Sequence, residues 1–312
     1  MIDLRCPLCD QDRYSVVYDE NLDGVEDAFH YLTERPCHYR IVRCDSCGFV
    51  YSNPIFEEDR IIALYESASV EGALGPAREM AIGKNMRSYL RHLQRSSGQK
   101  SGRLLDVGAG LGHLLGEARE MGYATMGVEP SHEAASYANR RLGDDSVVCA
   151  HYRRDMFPEG SFDFITLIHV IDHVVAPRAL LETMHYHLRP GGYALIATHN
   201  IASLLARLTG KNFIAWSVQH VGYFTPATLK SMGRAAGLAP VSLFGSLTTY
   251  PLAHYAENGI RNPNLKAWAS KIIGALHLSN IPLSFPFGNI ELVCRKEANA
   301  DAVQVASTRT AT

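Results

Sequence analysis

The chain lacks an excess of charge of either sign: 30 lysines and arginines stand against 32 aspartates and glutamates, a formal net charge of -2. A surface so balanced has no global basicity with which to hold a polyanion, which argues against nucleic acid as a partner. No uninterrupted apolar run is long enough to span a bilayer. The opening "MIDLRCPLCD" has neither the basic nor the apolar stretch of a secretory signal. The expectation is a cytoplasmic protein without a transmembrane segment. Cysteine is scarce, seven in 312 residues. The odd number, with four of the seven in two CxxC pairs, favours metal binding in a reducing compartment over a disulfide framework.

What is present divides the chain into four stretches. Residues 1–53 carry both CxxC pairs among short β-prone pieces, "YSVVY" and "YRIVRC", and read as a small metal-stapled module. Residues 54–102 read as a helical connector, with Met80, Ile82, Met86, Tyr89, Leu90 and Leu93 mostly along one face, ending in the linker "SSGQKSG". From 103 to about 297 apolar runs alternate with amphipathic helices, the pattern of an α/β, doubly wound, Rossmann-like parallel sheet. An insertion, about 248–286, interrupts it, and 298–312 is polar, aperiodic and expected to be disordered.

The densest signal is "LLDVGAGLG". A strand, a glycine-rich turn and a helix bring backbone close to a ligand. A dinucleotide fingerprint, GxGxxG, fails because His113 stands where the third glycine belongs. Asp106, two residues before Gly108, repels a pyrophosphate but suits a ligand bearing ammonium and sulfonium charge. Glu129 ends the next strand, placed to accept both hydroxyls of a ribose. A nucleoside with a cationic tail and no phosphates meets these demands, as S-adenosylmethionine does.

In the order of "LLDVGAGLG", "GVEP", "FPEGSFDFITLIHVIDHV", "LRPGG" and "HVGYFTPATLKSMGRAAGL", the chain resembles the class I S-adenosylmethionine-dependent methyltransferases from about Arg103 to Arg295. The resemblance implies a seven-stranded sheet. It also implies that Asp106, Gly108, Ala109, Gly110 and Gly112 hold the methionine end, Glu129 and Pro130 the ribose, and that His151, Tyr152 and Ile168 lie near the nucleoside. His151 and Tyr152 depart from the acidic and small residues common in the family at that place.

Cys6, Cys9, Cys44 and Cys47 offer four thiolates, the donor set of a closed structural Zn2+ site in a zinc-ribbon-like module, with Cys37 or His38 as substitute ligands. Cys149 and Cys294 read as core. For chemistry, a hydroxyl acceptor must lose a proton, which calls for a base with a pKa near neutral. His169, at the end of the fourth strand of the sheet, and His220, in the segment that packs over the acceptor in similar enzymes, are the candidate catalytic residues. His199 ends the fifth strand, and Asp172 and His173 read as caps of the following helix or as orienters of His169. In the insertion, Leu265, Trp268, Ile272 and Leu276 share one helical face. That face reads as cover for the sheet edge, with a substrate lid or a peripheral membrane contact as the alternative.

The expectation is thus an enzyme that methylates a small hydroxylated acceptor such as a sugar, glycan precursor or secondary metabolite. The rivals weighed are an RNA methyltransferase with a zinc module, opposed by the near-neutral charge, and a non-catalytic cofactor-binding protein, opposed by the intact turn and Glu129.

Overall fold

Strand and helix alternate from Gly102 onward, as the sequence pattern requires. The computed structural model describes residues 1–22, 37–66, 75–143, 145–259 and 262–298, so the expected disordered tail falls, but for its first residue, outside the described residues. The strands are β1 (Tyr14–Tyr18), β2 (Ile41–Cys44), β3 (Val50–Ser52), β4 (Gly102–Val107), β5 (Tyr123–Glu129), β6 (Val147–Cys149), β7 (Phe162–Ile168), β8 (Leu188–His199), β9 (Gly222–Tyr223), β10 (Leu238–Pro251) and β11 (Pro282–Lys296). The helices are α1 (Glu58–Glu66), α2 (Pro76–Ser97), α3 (His113–Glu120), α4 (His132–Leu142), α5 (Pro177–His187), α6 (Leu204–Thr209), α7 (Pro226–Ala235), α8 (Leu252–Gly259) and α9 (Pro263–Ala275).

Seven strands form one sheet in the order β10-β11-β8-β7-β4-β5-β6. β6, β5, β4, β7 and β8 run parallel, while β11 lies antiparallel between β8 and β10. The central strands are buried on both faces, which is why "RLLDV" and "FDFITLI" are near-continuous apolar runs: Leu104, Leu105, Phe164 and Ile165 are fully covered. The chain moves from β4 outward through β5 and β6, then returns to add β7 and β8 on the other side. The order reverses between β4 and β7, and a crevice opens at their carboxyl ends.

The connector helix α2 packs on β10, α3 and β11. Its inward face is Ala81, Asn85, Tyr89, Leu90 and Leu93, and Met80, expected inward, is exposed. Asn85 is tolerated in that seam because its amide exchanges two hydrogen bonds with the Thr249 backbone, at 2.8 and 3.2 Å.

The cysteine-bearing stretch does not close its own sheet. β1, β2 and β3 are joined by β9 from far along the chain, with Val50 opposite Tyr223 and Tyr51 opposite Gly222. In the insertion, β10 and β11 continue as a ladder to the Pro251–Pro282 pair, and α8 and α9 span its tip. α9 does not cover the sheet edge: it buries no residue, and Trp268 is 62% exposed. Cys294 is core as expected, whereas Cys149, at the end of the edge strand β6, is exposed.

Candidate active site

The crevice is lined by four strand ends. β4 delivers Asp106 one residue before its end, β5 ends in Glu129, His169 follows β7 and His199 ends β8. Asp106 is 3% exposed, flanked in the ladder by Gly127 and Thr166. Thr166 donates its hydroxyl to Asp106 Oδ1 at 2.6 Å, yet burial outweighs that bond and, with the charge of Glu129, pushes the Asp106 carboxyl up to about 7. Glu129 accepts the Gly110 amide on Oε2 at 2.8 Å and the Ser131 amide on Oε1 at 2.9 Å, and burial still raises its pKa. One amide on each oxygen leaves each a second acceptor direction. Desolvation disfavours the charge on both carboxyls, so a cation placed beside them is stabilising.

Gly108, Gly110 and Gly112 have φ of +74°, +50° and +75°, left-handed backbone that glycine alone adopts without strain. Room for a ligand explains only one of the three. A Cβ on Gly108 would strike the Val170 side chain, and one on Gly112 would lie 2.7 Å from Leu142 Cδ1, whereas nothing lies within 4 Å of that position on Gly110. The Gly108 and Ala109 amides both donate to the Val128 carbonyl, and the Gly112 amide to that of Ala109. The turn therefore offers open space at Gly110 rather than a nest of donors.

Pro130 follows Glu129 directly, and Ile168 is half-buried at the end of β7. His151 is exposed and close enough for its charge to act on Glu129. Tyr152 turns away: its hydroxyl donates to His187 Nδ1 at 2.6 Å, while His187 Nε2 donates to the Arg154 carbonyl. Sequence reasoning passed over Thr166, the one hydroxyl inside an apolar strand run, whose position there was the available signal.

The three predicted histidines converge. Ring centres of His169 and His199 are 4.9 Å apart, and those of His199 and His220 5.3 Å. His169 has a φ of +53°, an uncommon conformation for a residue with a Cβ that costs roughly 1–3 kcal/mol. Its amide is held by the Ala197 carbonyl at 2.8 Å. His220 donates Nδ1–H to the Ala215 carbonyl at 2.7 Å, so in the neutral ring Nε2 is the acceptor. Burial, reinforced by His173, lowers His220 to about 4, and burial with His199 does the same to His169, so both rings are neutral at pH 7.

Asp172 is not a helix cap. α5 starts behind Ala176, which makes no side-chain cap, with Pro177 in the first turn. Instead Asp172 is 2% exposed among the histidines, with Nε2 of His220 at 3.8 Å and of His173 at 3.9 Å. Burial opposes its ionisation, but His173, His220, His199 and His169 together outweigh it and hold the carboxyl well below the usual range. The segment bearing His220 is fixed from two sides. The Asp172 carbonyl accepts the Val221 and Gly222 amides, and Ser52 of β3 donates its hydroxyl to the His220 carbonyl at 3.0 Å and its amide to that of Val221 at 2.9 Å.

In the core cluster that also holds Val107, Ile171 and Phe224, the two CxxC turns face each other, Cys6 Sγ 3.5 Å from Cys47 Sγ and Cys9 Sγ 3.5 Å from Cys44 Sγ, too far for disulfides. All four sulfurs lie within 4.8 Å of one another. Each turn is closed alike, by the Asp10 amide on the Cys6 carbonyl and the Gly48 amide on that of Cys44, with both closing residues left-handed. Burial pushes Cys47 up to about 11, whereas at Cys44 the Cys47 and Ser46 amides outweigh burial and bring the thiol down to about 7. Cys37 and His38 are outside the cluster, and the His38 ring donates to the Tyr39 carbonyl.

A family profile described as a methyltransferase domain matches residues 79–243, more than half of the chain. The chain belongs to this methyltransferase family. It is an S-adenosylmethionine-dependent enzyme with a seven-stranded α/β sheet. The methyltransferase is 26% identical over 164 residues to a ubiquinone biosynthesis O-methyltransferase of Burkholderia thailandensis, covering 48% of this chain and 70% of that protein. It is 29% identical over 157 residues to a protein of the same description from Idiomarina loihiensis, covering 46% and 64%. Among solved structures, the 1,6-didemethyltoxoflavin-N1-methyltransferase of Burkholderia thailandensis, holding 1,6-didemethyltoxoflavin and S-adenosylhomocysteine, superposes with a TM-score of 0.51 at 18% identity over 86% of this chain and 98% of that one, a likeness of fold. No helix among the described residues is long and apolar enough to cross a membrane.

Proposed function

We propose that this methyltransferase methylates a hydroxyl group of a small acceptor bound at the carboxyl ends of β7 and β8. The observation that carries the reading is the convergence of neutral imidazoles, the half-buried His169 and His199 at those strand ends and the buried His220 beside them. The description of the curated relatives as O-methyltransferases supports it. When bound, S-adenosylmethionine supplies an electrophilic methyl group on a sulfonium. Asp106 and the open edge at Gly110 hold the cationic methionine end, with Ala109, Gly108 and Gly112 shaping the turn. Glu129, with Pro130, holds the ribose, and His151 and Ile168 flank the nucleoside. Tyr152, tied to His187, supports that wall from behind rather than lining it.

The acceptor hydroxyl gives its proton to an imidazole, for which His220 Nε2 and His169 are placed. Removing a general base costs about 10²–10⁴ in rate. His220→Ala is therefore expected to lower kcat by that order while S-adenosylmethionine affinity, measured calorimetrically, changes little. Equal losses in both would assign His220 to cofactor binding. Incubation with methyl-labelled S-adenosylmethionine and a panel of sugars, phenols and RNA tests the acceptor class. Label is expected in hydroxylated small molecules, and label in RNA alone overturns the reading.

The turn gives a separable outcome. Gly108→Ala meets both the left-handed backbone and Val170, and is expected to destabilise by roughly 1–3 kcal/mol more than Gly110→Ala, since overpacking adds that much. Gly110→Ala is expected to cost cofactor affinity instead. Thermal unfolding paired with cofactor titration checks the contrast.

For the N-terminal module we propose one structural zinc ion on Cys6, Cys9, Cys44 and Cys47. Four thiols within 4.8 Å, on two turns of matching geometry, are a closed tetrahedral donor set.

A further inference from the structure

We propose a second metal site, in which Asp172, His169 and His199 hold a divalent transition-metal ion facing the acceptor crevice. The first observation is a buried carboxyl group without a hydrogen-bond partner. Asp172 is 2% exposed, and neither of its side-chain oxygens has a partner among the described residues. The nearest ring cannot supply one while neutral. His220 has committed its Nδ1–H to the Ala215 carbonyl, so a lone pair on Nε2 faces Asp172 Oδ2 at 3.8 Å. Two acceptors opposed in a dry pocket are costly unless a donor or a cation comes between or beside them.

The second observation is the donor set. One ligating atom from each of His169, Asp172 and His199 falls within 4.8 Å of the others, and because ligands about 2.0–2.2 Å from one ion lie at most about 4.4 Å apart, the three side chains draw slightly inward to share it. His199 is oriented as metal-binding histidines are, by a hydrogen bond on its far nitrogen: Nδ1 meets Asn289 Oδ1 at 2.9 Å, and the Asn289 amide is itself turned by donation to Thr248 at 3.2 Å. That leaves Nε2 to ligate. His169 Nδ1 is buried and has no partner among the described residues, and the left-handed backbone there fixes where the ring points. Two imidazoles and one carboxylate suit zinc, iron(II), cobalt or nickel better than magnesium or calcium.

Both histidines are only half-buried, so the ion keeps coordination positions open toward the crevice, unlike the closed four-cysteine site. What the ion does there rests on the proposed hydroxyl acceptor. The acceptor oxygen would occupy an open position, its proton would pass to His220 Nε2, and His169 would serve as ligand rather than base.

Cobalt(II) titration of the full chain separates the two sites, because thiolate ligation gives an intense charge-transfer band that nitrogen and oxygen ligation lacks. Wild type is expected to bind one equivalent with that band and a second without it. His199→Gln and Asp172→Asn are each expected to keep the band and the S-adenosylmethionine affinity, which report an intact fold, and to weaken the second equivalent by about 100-fold or more. No equivalent outside the thiolate band, or one that both variants retain, overturns the site. A second ion lost in both variants, without methyl transfer to any hydroxyl, supports the site and sinks the acceptor reading. Hydroxyl methylation with the thiolate equivalent alone does the reverse.

Discussion

Cys44→Ser is expected to release the zinc from the N-terminal module and to lower kcat by about 100-fold or more while leaving S-adenosylmethionine affinity within a few-fold of wild type. The stability part follows from size. A stretch of some fifty residues has little core of its own, and a structural zinc ion contributes on the order of 10–16 kcal/mol in comparable small modules, so losing one of four ligands unfolds it. The catalytic part follows from the strand that closes the module's sheet. β9 belongs to the segment carrying His220, and the two Ser52 bonds hold that segment from the module's side. When β3 is lost, the Val221 carbonyl loses the Ser52 amide and the His220 carbonyl keeps only the Tyr223 hydroxyl at 3.1 Å, and a displacement of about 1 Å at a reacting group costs on that order in rate. The cofactor crevice is built by β4 and β5 and does not share these bonds. Metal content by mass spectrometry, kcat with a labelled acceptor and calorimetric cofactor affinity check the three parts together. A variant that retains full kcat after losing its metal sinks the coupling.

What the sequence disclosed was what lies close along the chain. The strand, turn and helix around Gly110, the carboxylates of Asp106 and Glu129, and the paired CxxC turns are each set by spacings of a few residues, where periodicity and turn chemistry act directly. Features made by distant contacts were hidden. Nothing near Val50 signals that Tyr223 completes its sheet, because an edge strand is paired by whichever segment the fold brings alongside. Asp172 stands a few residues before a helix and so resembles a cap, yet a proline-started helix leaves that task open and the carboxylate faces histidines from β7, β8 and the segment before β9. Asn289 lies directly across the ladder from His199 in an antiparallel register that no local pattern encodes. α9 shows the opposite error. Its amphipathic spacing was legible, but a periodic face says only that burial is favourable, not that a partner within the chain supplies it.

Glu129→Ala is expected to weaken S-adenosylmethionine binding by about 100-fold or more, and wild-type affinity is expected to rise with pH through about 7, a rise that Asp106→Asn abolishes. Glu129 accepts the amides of Gly110 and Ser131, so its loss strands two donors of the turn as well as removing the ribose acceptor, and hydrogen bonds to a charged group are each worth roughly 1.5–3 kcal/mol. The pH dependence comes from Asp106. Its folded pKa of about 7 lies above the unfolded value of 3.8, so its contribution to stability is fully present below pH 3.8 and is lost as pH rises through about 7. The ionised carboxylate in the ligand-free protein is thus disfavoured by about 4 kcal/mol. A cation beside it reverses that preference, so binding near pH 6 expels a proton, and the affinity is weaker there than at pH 8 by the cost of removing it. Calorimetry in buffers of different ionisation enthalpy counts the proton directly. Release of close to one proton at pH 6 that disappears in Asp106→Asn places the cation against this carboxylate, whereas equal release by the variant assigns the proton to another group.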